Sequence, residues 1–155
     1  AARLTEFPDV RANTFAVDLA RGKPAAADDV LGGVAEFAAK NVTDGRRETC
    51  WMPGGNARSG RLTIAFGAPA TFDRILISER IELGQRVCGF TIEALVADDW
   101  KPIASGTTIG YKRLLRIEPV VAEKLRLTIT DALAPPAICE VGVYMAAPRE
   151  GAAAA

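Results

Sequence analysis

The chain has 155 residues, 49% of them hydrophobic, and its 19 lysines and arginines balance its 19 aspartates and glutamates. That length suits one domain with a buried core, and the zero net charge gives no overall field to attract nucleic acid or an anionic membrane. Histidine is absent, which excludes Ser-His-Asp catalysis, Cys-His catalysis and histidine-bound metals. No apolar run approaches the ~18 residues of a membrane-spanning helix.

The three cysteines are Cys50, Cys88 and Cys139. They lie far apart and form no CxxC pair, so a zinc knuckle is excluded. One disulfide stays open as an alternative. The apolar sequences around them, CW, VCGF and ICEV, favour small buried thiols.

Residues 1–22 are predicted to form an arm ahead of the main domain. Apolar residues recur there at roughly helical spacing: Leu4, Phe7, Val10, Phe15 and Leu19. A small apolar helix needs a surface to pack on, so the arm indicates a neighbouring domain. We predict a sandwich domain over residues 23–147 and a disordered tail over 148–155, where GAAAA is low in complexity.

Beyond the arm, the sequence predicts an all-β domain. Apolar residues alternate with period two in RLTIAF, FTIEAL and KLRLTIT, and turns rich in Gly, Pro and Asp separate the segments. The predicted strands are Ala25–Asp28, Arg61–Phe66, Phe72–Glu79, Gly89–Ala97, Trp100–Ser105, Tyr111–Ile117, Lys124–Asp131 and Glu140–Ala146. About eight short strands, with one brief helical stretch at Val34–Ala39, favour an antiparallel β-sandwich.

The first candidate site is the segment Asn41–Trp51, NVTDGRRETCW. Asp44 opens an Asp-Gly turn, and Thr49 follows closely enough for its hydroxyl and several backbone carbonyls to converge. Calcium prefers such oxygen ligands, and Glu140, at the start of the last strand, would supply a second carboxylate. Because Asp-Gly turns are common, the spacing alone favours a plain turn with a surface threonine and a solvated glutamate.

The second candidate is the loop Trp51–Arg58, WMPGGNAR. A sugar site needs an aromatic platform and planar hydrogen-bond donors, which this loop contains. We expect Trp51 to close one end of the sandwich instead, because large aromatic residues are usually buried. Asn56 and Arg58 remain candidates for binding.

The third candidate is Ile81–Arg116, which contains the sequence motifs LGQRV and GTTIGYKR. Its polar donors fall at strand starts. Two roles stay open for them: either they bind a polyhydroxylated ligand or a partner domain at one edge of the sandwich, or they form structural ion pairs with neighbouring glutamates. These donors are Arg86, Tyr111, Lys112 and Arg113. The carboxylate pairs Glu79/Glu82 and Asp98/Asp99 show no means of raising a pKa, so glycosidic acid–base catalysis is not predicted here.

Several of these phrases together resemble a known family. NVTDGRRETCW and ICEVGVY are similar to the entry turn and final strand of the discoidin (coagulation factor 5/8 type C) superfamily. More narrowly, LGQRV, FTIEAL, the GTTIGYKR turn and LRLTITDA resemble the C-terminal discoidin-like module of α-L-fucosidases of glycoside hydrolase family 29. The resemblance covers residues 4–146 and includes the arm, which is similar to the segment that follows their catalytic barrel.

The resemblance implies a galactose-binding-domain-like jelly-roll sandwich of about eight strands and a structural calcium ion. Position by position, it assigns side-chain ligands to Asp44, Thr49 and Glu140, and backbone carbonyl ligands to Asn41, Arg46 and Cys139. Galactose-binding relatives use a His, an Arg and an aromatic residue on long loops. This chain has no His and a short loop between Glu79 and Val87, so that pocket is not recognisable.

These features lead us to expect a non-catalytic module of an α-L-fucosidase that hydrolyses terminal α-L-fucose from glycans. Its partners would be the catalytic (β/α) barrel of the same chain and fucosylated or galactose-containing glycans. The secreted parent would be extracellular, periplasmic or lysosomal/vacuolar. The alternatives are a free-standing carbohydrate-binding lectin domain and a purely structural spacer, and the apolar arm favours the module over the lectin.

Overall fold

The computed structural model of the chain describes residues 17–146, which form an antiparallel β structure. Its strands are β1 (Ala25–Ala27), β2 (Gly60–Glu79), β3 (Val87–Val96), β4 (Asp99–Gly106), β5 (Arg113–Ala132) and β6 (Ile138–Tyr144). Between them lie short 3₁₀ turns at Leu31–Gly33, Ala35–Phe37, Ala39–Val42 and Ile81–Leu83. No helix within the described range is long and apolar enough to cross a membrane.

The two 20-residue strands, β2 and β5, organise the sandwich. The first half of β2 pairs with the second half of β5, next to β3 and β4, with β1 on the opposite edge. The second half of β2 lies between β6 and the first half of β5. A register shift between Ala65 and Ala70 marks the change from one layer to the other.

A single main core fills the space between the layers. In the first half of β2, Leu62 and Ile64 are buried. The apolar residues that alternate in KLRLTIT lie on the segment of β5 that pairs with this half and are buried as well, as the alternation predicts. Inward residues from the other half of β2 and from β6, including Ile75 and Val141, belong to the same cluster. Because both halves of each long strand contribute to it, this core holds the two layers face to face.

The predicted strands lie where the structure has them, but two pairs of them are continuous. Arg61–Phe66 and Phe72–Glu79 form the single strand β2, and Tyr111–Ile117 and Lys124–Asp131 form β5. The GAPA sequence predicted as a turn is an irregularity inside β2, with Gly67 at φ 84°. The described residues therefore contain six strands rather than eight, and the predicted helical stretch at Val34–Ala39 consists of 3₁₀ turns.

The end of the predicted arm lies along β6. The backbone N–H of Leu19 donates to the carbonyl of Val143 at 2.9 Å, which adds a neighbour to the edge of this strand. Most of the arm and the whole of the tail at 148–155 lie outside the described residues, so their predicted helix and disorder stay predictions. The boundaries at 22 and 147 stay predictions as well.

Candidate functional site

The loop that contains the Asp-Gly turn is anchored by Asn41, which is 6% exposed. Its side-chain amide donates to the carbonyls of Ala35, Glu36 and Cys50 at 2.9–3.0 Å. These three bonds join both ends of the loop to the preceding 3₁₀ turns. The anchoring leaves the Asn41 carbonyl directed toward Thr49, whose hydroxyl lies 3.3 Å away.

Three oxygen atoms converge around the hydroxyl group of Thr49. Its Oγ1 lies 2.6 Å from Oδ2 of Asp44 and 3.2 Å from the carbonyl oxygen of Arg46, in addition to the Asn41 carbonyl. The other Asp44 oxygen accepts the backbone N–H of Arg46 at 2.8 Å, which closes the turn. One hydroxyl proton serves three acceptors, so the group is rich in lone pairs.

This donor set fits a hard cation such as calcium, which takes carboxylate, hydroxyl and carbonyl oxygens. The structure brings together four of the predicted ligands: Asn41, Asp44, Arg46 and Thr49. Glu140 and Cys139 lie at the start of β6, outside this hydrogen-bonded group. Within residues 17–146 no three Asp, Glu or Cys side chains cluster to hold a metal, so a cation here would depend on the neutral oxygens as well.

The buried carboxylate of Glu79 connects the LGQRV and GTTIGYKR motifs, which carry the resemblance to α-L-fucosidase modules. Glu79 is 1% exposed, and its Oε1 accepts the backbone N–H groups of Arg86 and Val87 at 2.9 and 3.0 Å. Its Oε2 accepts the N–H of Gly110 at 2.7 Å. The turns in LGQRV and GTTIGYKR are thus fixed to the end of β2 by one side chain, and the sequence pattern did not predict this role.

Two of the candidate binding residues in Ile81–Arg116 are hydrogen-bonded within the domain. The Arg86 guanidinium donates to the carbonyls of Pro135 at 2.8 Å and Leu83 at 3.3 Å, and that of Arg113 donates to the carbonyl of Thr108 at 3.0 Å. Of the two roles left open for Arg86, the ion pair with a glutamate is not formed with Glu79, which contacts the backbone N–H of Arg86 instead. Both guanidinium groups therefore hold turns in place.

Tyr111 remains accessible, with 55% of its surface exposed. The guanidinium of Arg47 lies over its ring, 4.1 Å from the centroid, in a cation–π contact. This contact connects the loop that contains the Asp44-Gly45 turn (the Asp44 loop) with the turn before β5. Nothing in the sequence spacing indicated the pair, because the two residues meet only in the folded chain.

The loop after Trp51 carries exposed polar residues but no aromatic platform. Trp51 is fully buried, its ring lies against Gly60, and its Nε1 donates to the carbonyl of Asp29 at 2.9 Å. The prediction that it closes the sandwich is confirmed. Asn56 and Arg58 are exposed on the same loop.

A second acidic position, Asp18, lies where the arm meets β6. Its Oδ1 accepts the N–H groups of Ala20 and Val143 at 2.9 and 3.1 Å. Burial raises the pKa of Asp18 against the opposing effect of these bonds. Burial, followed by the charges of Asp18 and Glu140, raises the pKa of Tyr144 to about 12.

The F5/8 type C domain model matches residues 28–141. The chain belongs to the F5/8 type C domain family. At the level of fold alone, it is also similar to chitosan-binding module 1 of a chitosanase/glucanase from Paenibacillus sp. IK-5, with a TM-score of 0.73 and 20% identity over 83% of this chain and 98% of that module.

Longer enzymes contain closer matches to this F5/8 type C domain. Alpha-L-fucosidase 1 of Arabidopsis thaliana is 32% identical over 92% of the chain and 29% of its own length. A GH29 fucosidase of Ruminococcus gnavus, solved with fucose, is 33% identical with a TM-score of 0.85, over 94% of the chain and 30% of the enzyme. The chain thus spans less than a third of the length of these relatives.

Proposed function

We propose that this F5/8 type C domain is a non-catalytic module of an α-L-fucosidase whose barrel hydrolyses terminal α-L-fucose from glycans. The observation that supports this most strongly is the match to fucosidases over more than nine tenths of the chain, which necessarily includes part of the arm. The free-standing lectin and the structural spacer remain alternatives. Neither accounts for an arm whose sequence is shared with longer enzymes.

The arrangement of the carboxylates agrees with a non-catalytic role. Retaining and inverting glycosidases need two carboxyl groups that flank one bond, with one of them protonated. Glu79 is buried and accepts hydrogen bonds from three backbone amides, so its carboxylate is not available to a substrate, while Glu82 is 69% exposed at the side chain. Asp98 and Asp99 lie at the β3–β4 turn, where both are exposed.

The catalytic part of the proposal is tested with an aryl α-L-fucoside. The 155-residue chain should give no turnover above a buffer control, whereas the larger native protein that carries it should release the aryl group. Turnover by the chain alone, unchanged by Glu79→Gln, Glu82→Gln, Asp98→Asn and Asp99→Asn, would point to a contaminant. Turnover abolished by one of these changes would refute the non-catalytic assignment.

We propose that the module packs against the barrel near β6. The arm runs along this strand through the Leu19–Val143 bond, so a preceding domain would begin beside it. Two large apolar residues there, Val17 and Met145, are 64% and 41% exposed. Burying such residues against another domain would stabilise the parent protein by roughly 1–3 kcal/mol each.

Calcium is the ion we propose for the Asp44 loop. Asp44, Thr49 and Glu140 would contribute side-chain oxygens, and Asn41, Arg46 and Cys139 would contribute carbonyls. The ion would neutralise the lone-pair-rich group around Thr49 and hold the loop against β6. Its role would be structural, since no reacting group adjoins it.

A thermal-shift titration tests the calcium proposal. Calcium at 100 times its Kd should stabilise the fold by about 2.7 kcal/mol, and magnesium by less. Asp44→Ala or Glu140→Ala should abolish the shift, while Asp99→Ala, an exposed carboxylate far along the chain, should retain it. A wild-type melting temperature that does not respond to millimolar calcium would remove the site.

Carbohydrate binding is a second candidate, favoured by the exposed Tyr111 with its stacked Arg47. A sugar hydroxyl can take hydrogen bonds from a guanidinium at the edge of an aromatic ring. Asn56 and Arg58 offer a separate polar loop for the same purpose. Titration with fucose and galactose should show binding that Tyr111→Ala or Arg58→Ala weakens; binding that neither change affects, or no binding, removes this candidate.

The proposed parent is a secreted glycosidase that works in an extracellular, periplasmic or lysosome- or vacuole-like compartment. Glycans with terminal fucose are found on secreted and surface molecules, so such a location would bring enzyme and substrate together. Fractionation of source cells, followed by immunoblotting for this module, tests the proposal. Signal confined to the cytosol would contradict it.

A further inference from the structure

Two of the three cysteines lie directly opposite each other across a short antiparallel contact. Trp51 and Ile138 exchange both backbone hydrogen bonds, N–H to carbonyl, at 2.8 and 3.0 Å. Continuing this antiparallel register by one residue places Cys50 opposite Cys139, at a non-hydrogen-bonded position. Cα atoms of such a pair are about 4.5 Å apart, within the ~4.4–6.8 Å range that a disulfide spans.

The side chains of this pair also share one face. Trp51 and Ile138 point into the main core, so the residues before and after them point to the other side. There Cys50 and Cys139 pack with Met52 and Ala137 in a separate small cluster. The two thiols are 0% and 2% exposed, so both lie inside this cluster rather than at its border.

We propose that Cys50 and Cys139 close a disulfide under oxidising conditions. With a small disulfide such as oxidised glutathione as oxidant, one thiolate attacks it and releases one glutathione, leaving a mixed disulfide. The second thiolate then attacks the protein sulfur of that mixed disulfide and releases the second glutathione. The two cysteines lose two protons and two electrons, and the glutathione disulfide is reduced to two thiols.

The bond would have a specific structural consequence. Cys50 follows Thr49, and Cys139 precedes Glu140, so the cross-link would tie the Asp44 loop directly to the start of β6. It would close a loop of about 90 residues, a length for which chain-entropy models predict a large stabilisation. This inference rests on the strand pairing and on the buried cluster that both cysteines share, and it stands whether or not a fucosidase barrel or a calcium ion accompanies the domain.

Cys88 provides the internal control. It lies in β3, is half-buried, and its Sγ is 3.6 Å from the carbonyl oxygen of Arg86. It has no place in the small cluster that contains the other two cysteines. Oxidation should therefore leave Cys88 as a thiol that alkylating reagents modify after unfolding.

The test is to refold the 155-residue chain in oxidised and reduced glutathione, block the remaining thiols and map the peptides without reduction. We expect a linked pair of peptides that carry Cys50 and Cys139, lighter by two hydrogens than the sum of the separate thiols. The oxidised protein should melt about 10 °C above the reduced one. Cys88→Ser should retain the linkage and the shift.

Cys50→Ser or Cys139→Ser should remove both the linkage and the shift. Three alkylated cysteines after oxidative refolding of the wild type would overturn the proposal. A linkage that includes Cys88 would overturn it as well. Because the peptide map uses the wild-type chain, the result does not depend on either serine variant folding.

Discussion

Replacing Glu79 with alanine should destabilise the domain more than any other single carboxylate substitution near its turns. The wild-type carboxylate accepts the backbone N–H groups of Arg86, Val87 and Gly110. Glu79→Ala would leave three donors without an acceptor, one of them buried and two partly buried. Buried donors without partners are costly, which is why native structures rarely contain them.

The size of the effect follows from these contacts. An unsatisfied buried donor costs about 1–3 kcal/mol, and the partly buried N–H groups of Arg86 and Gly110 lie toward the lower end. We therefore expect Glu79→Ala to lower the free energy of unfolding by about 4 kcal/mol, or the melting temperature by about 12 °C. Glu79→Gln retains one acceptor oxygen but directs an amide NH₂ group toward the N–H of Gly110, so it should lower the free energy of unfolding by about 2 kcal/mol.

Urea denaturation followed by circular dichroism measures these free energies. The matched control is Glu82→Ala, whose wild-type side chain is 69% exposed and 3.9 Å from Arg80. It should change stability by less than about 0.5 kcal/mol. If Glu79→Ala changes stability as little as this control does, the carboxylate does not hold the turns in the LGQRV and GTTIGYKR motifs.

Three further changes test other parts of the structure. Gly45→Ala and Gly55→Ala should each cost about 1 kcal/mol, because both residues have positive φ and the Arg21 guanidinium that a Cβ at position 45 would meet is the end of a half-exposed side chain that can move away; urea midpoints equal to that of the wild type would contradict this. Burial raises the pKa of Asp18 above its ordinary 3.8, so the folded state binds this proton more tightly than the unfolded state and the wild type should lose stability as pH rises above that value. Asp18→Asn should flatten this part of the pH profile; a parallel profile would refute the assignment. Trp51→Phe should cost about 2 kcal/mol through its lost hydrogen bond and volume, and an unchanged calorimetric melt would show that the ring is not a core element.

Much of the sandwich could be predicted from alternation. RLTIAF and KLRLTIT place their apolar residues on one face, and the structure buries Leu62, Ile64 and Leu125 as that pattern requires. The continuity of β2 and β5 could not be predicted in the same way. Gly and Pro at positions 67 and 69 are typical of both a turn and a bulge, and the choice depends on which strand pairs alongside.

The candidate site was predictable only where it is local in sequence. Asp44 and Thr49 lie on one loop, so their spacing already indicated that their oxygens could meet. One of the two alternatives that the sequence left open paired the arginines with neighbouring glutamates such as Glu79, but the carboxylate of Glu79 accepts backbone amides instead. Their direction depends on turn conformations, such as φ 98° at Gly84 and 73° at Gly110, that residue types alone do not specify.

The size and activity of the native protein test the central claim most directly. Antibodies raised against this 16.4 kDa chain would identify and purify that protein from its source, and its intact mass and activity on an aryl α-L-fucoside would then be measured. The account predicts a polypeptide several times heavier that releases fucose. A free-standing protein near 16.4 kDa, or a larger one without fucosidase activity, would contradict it.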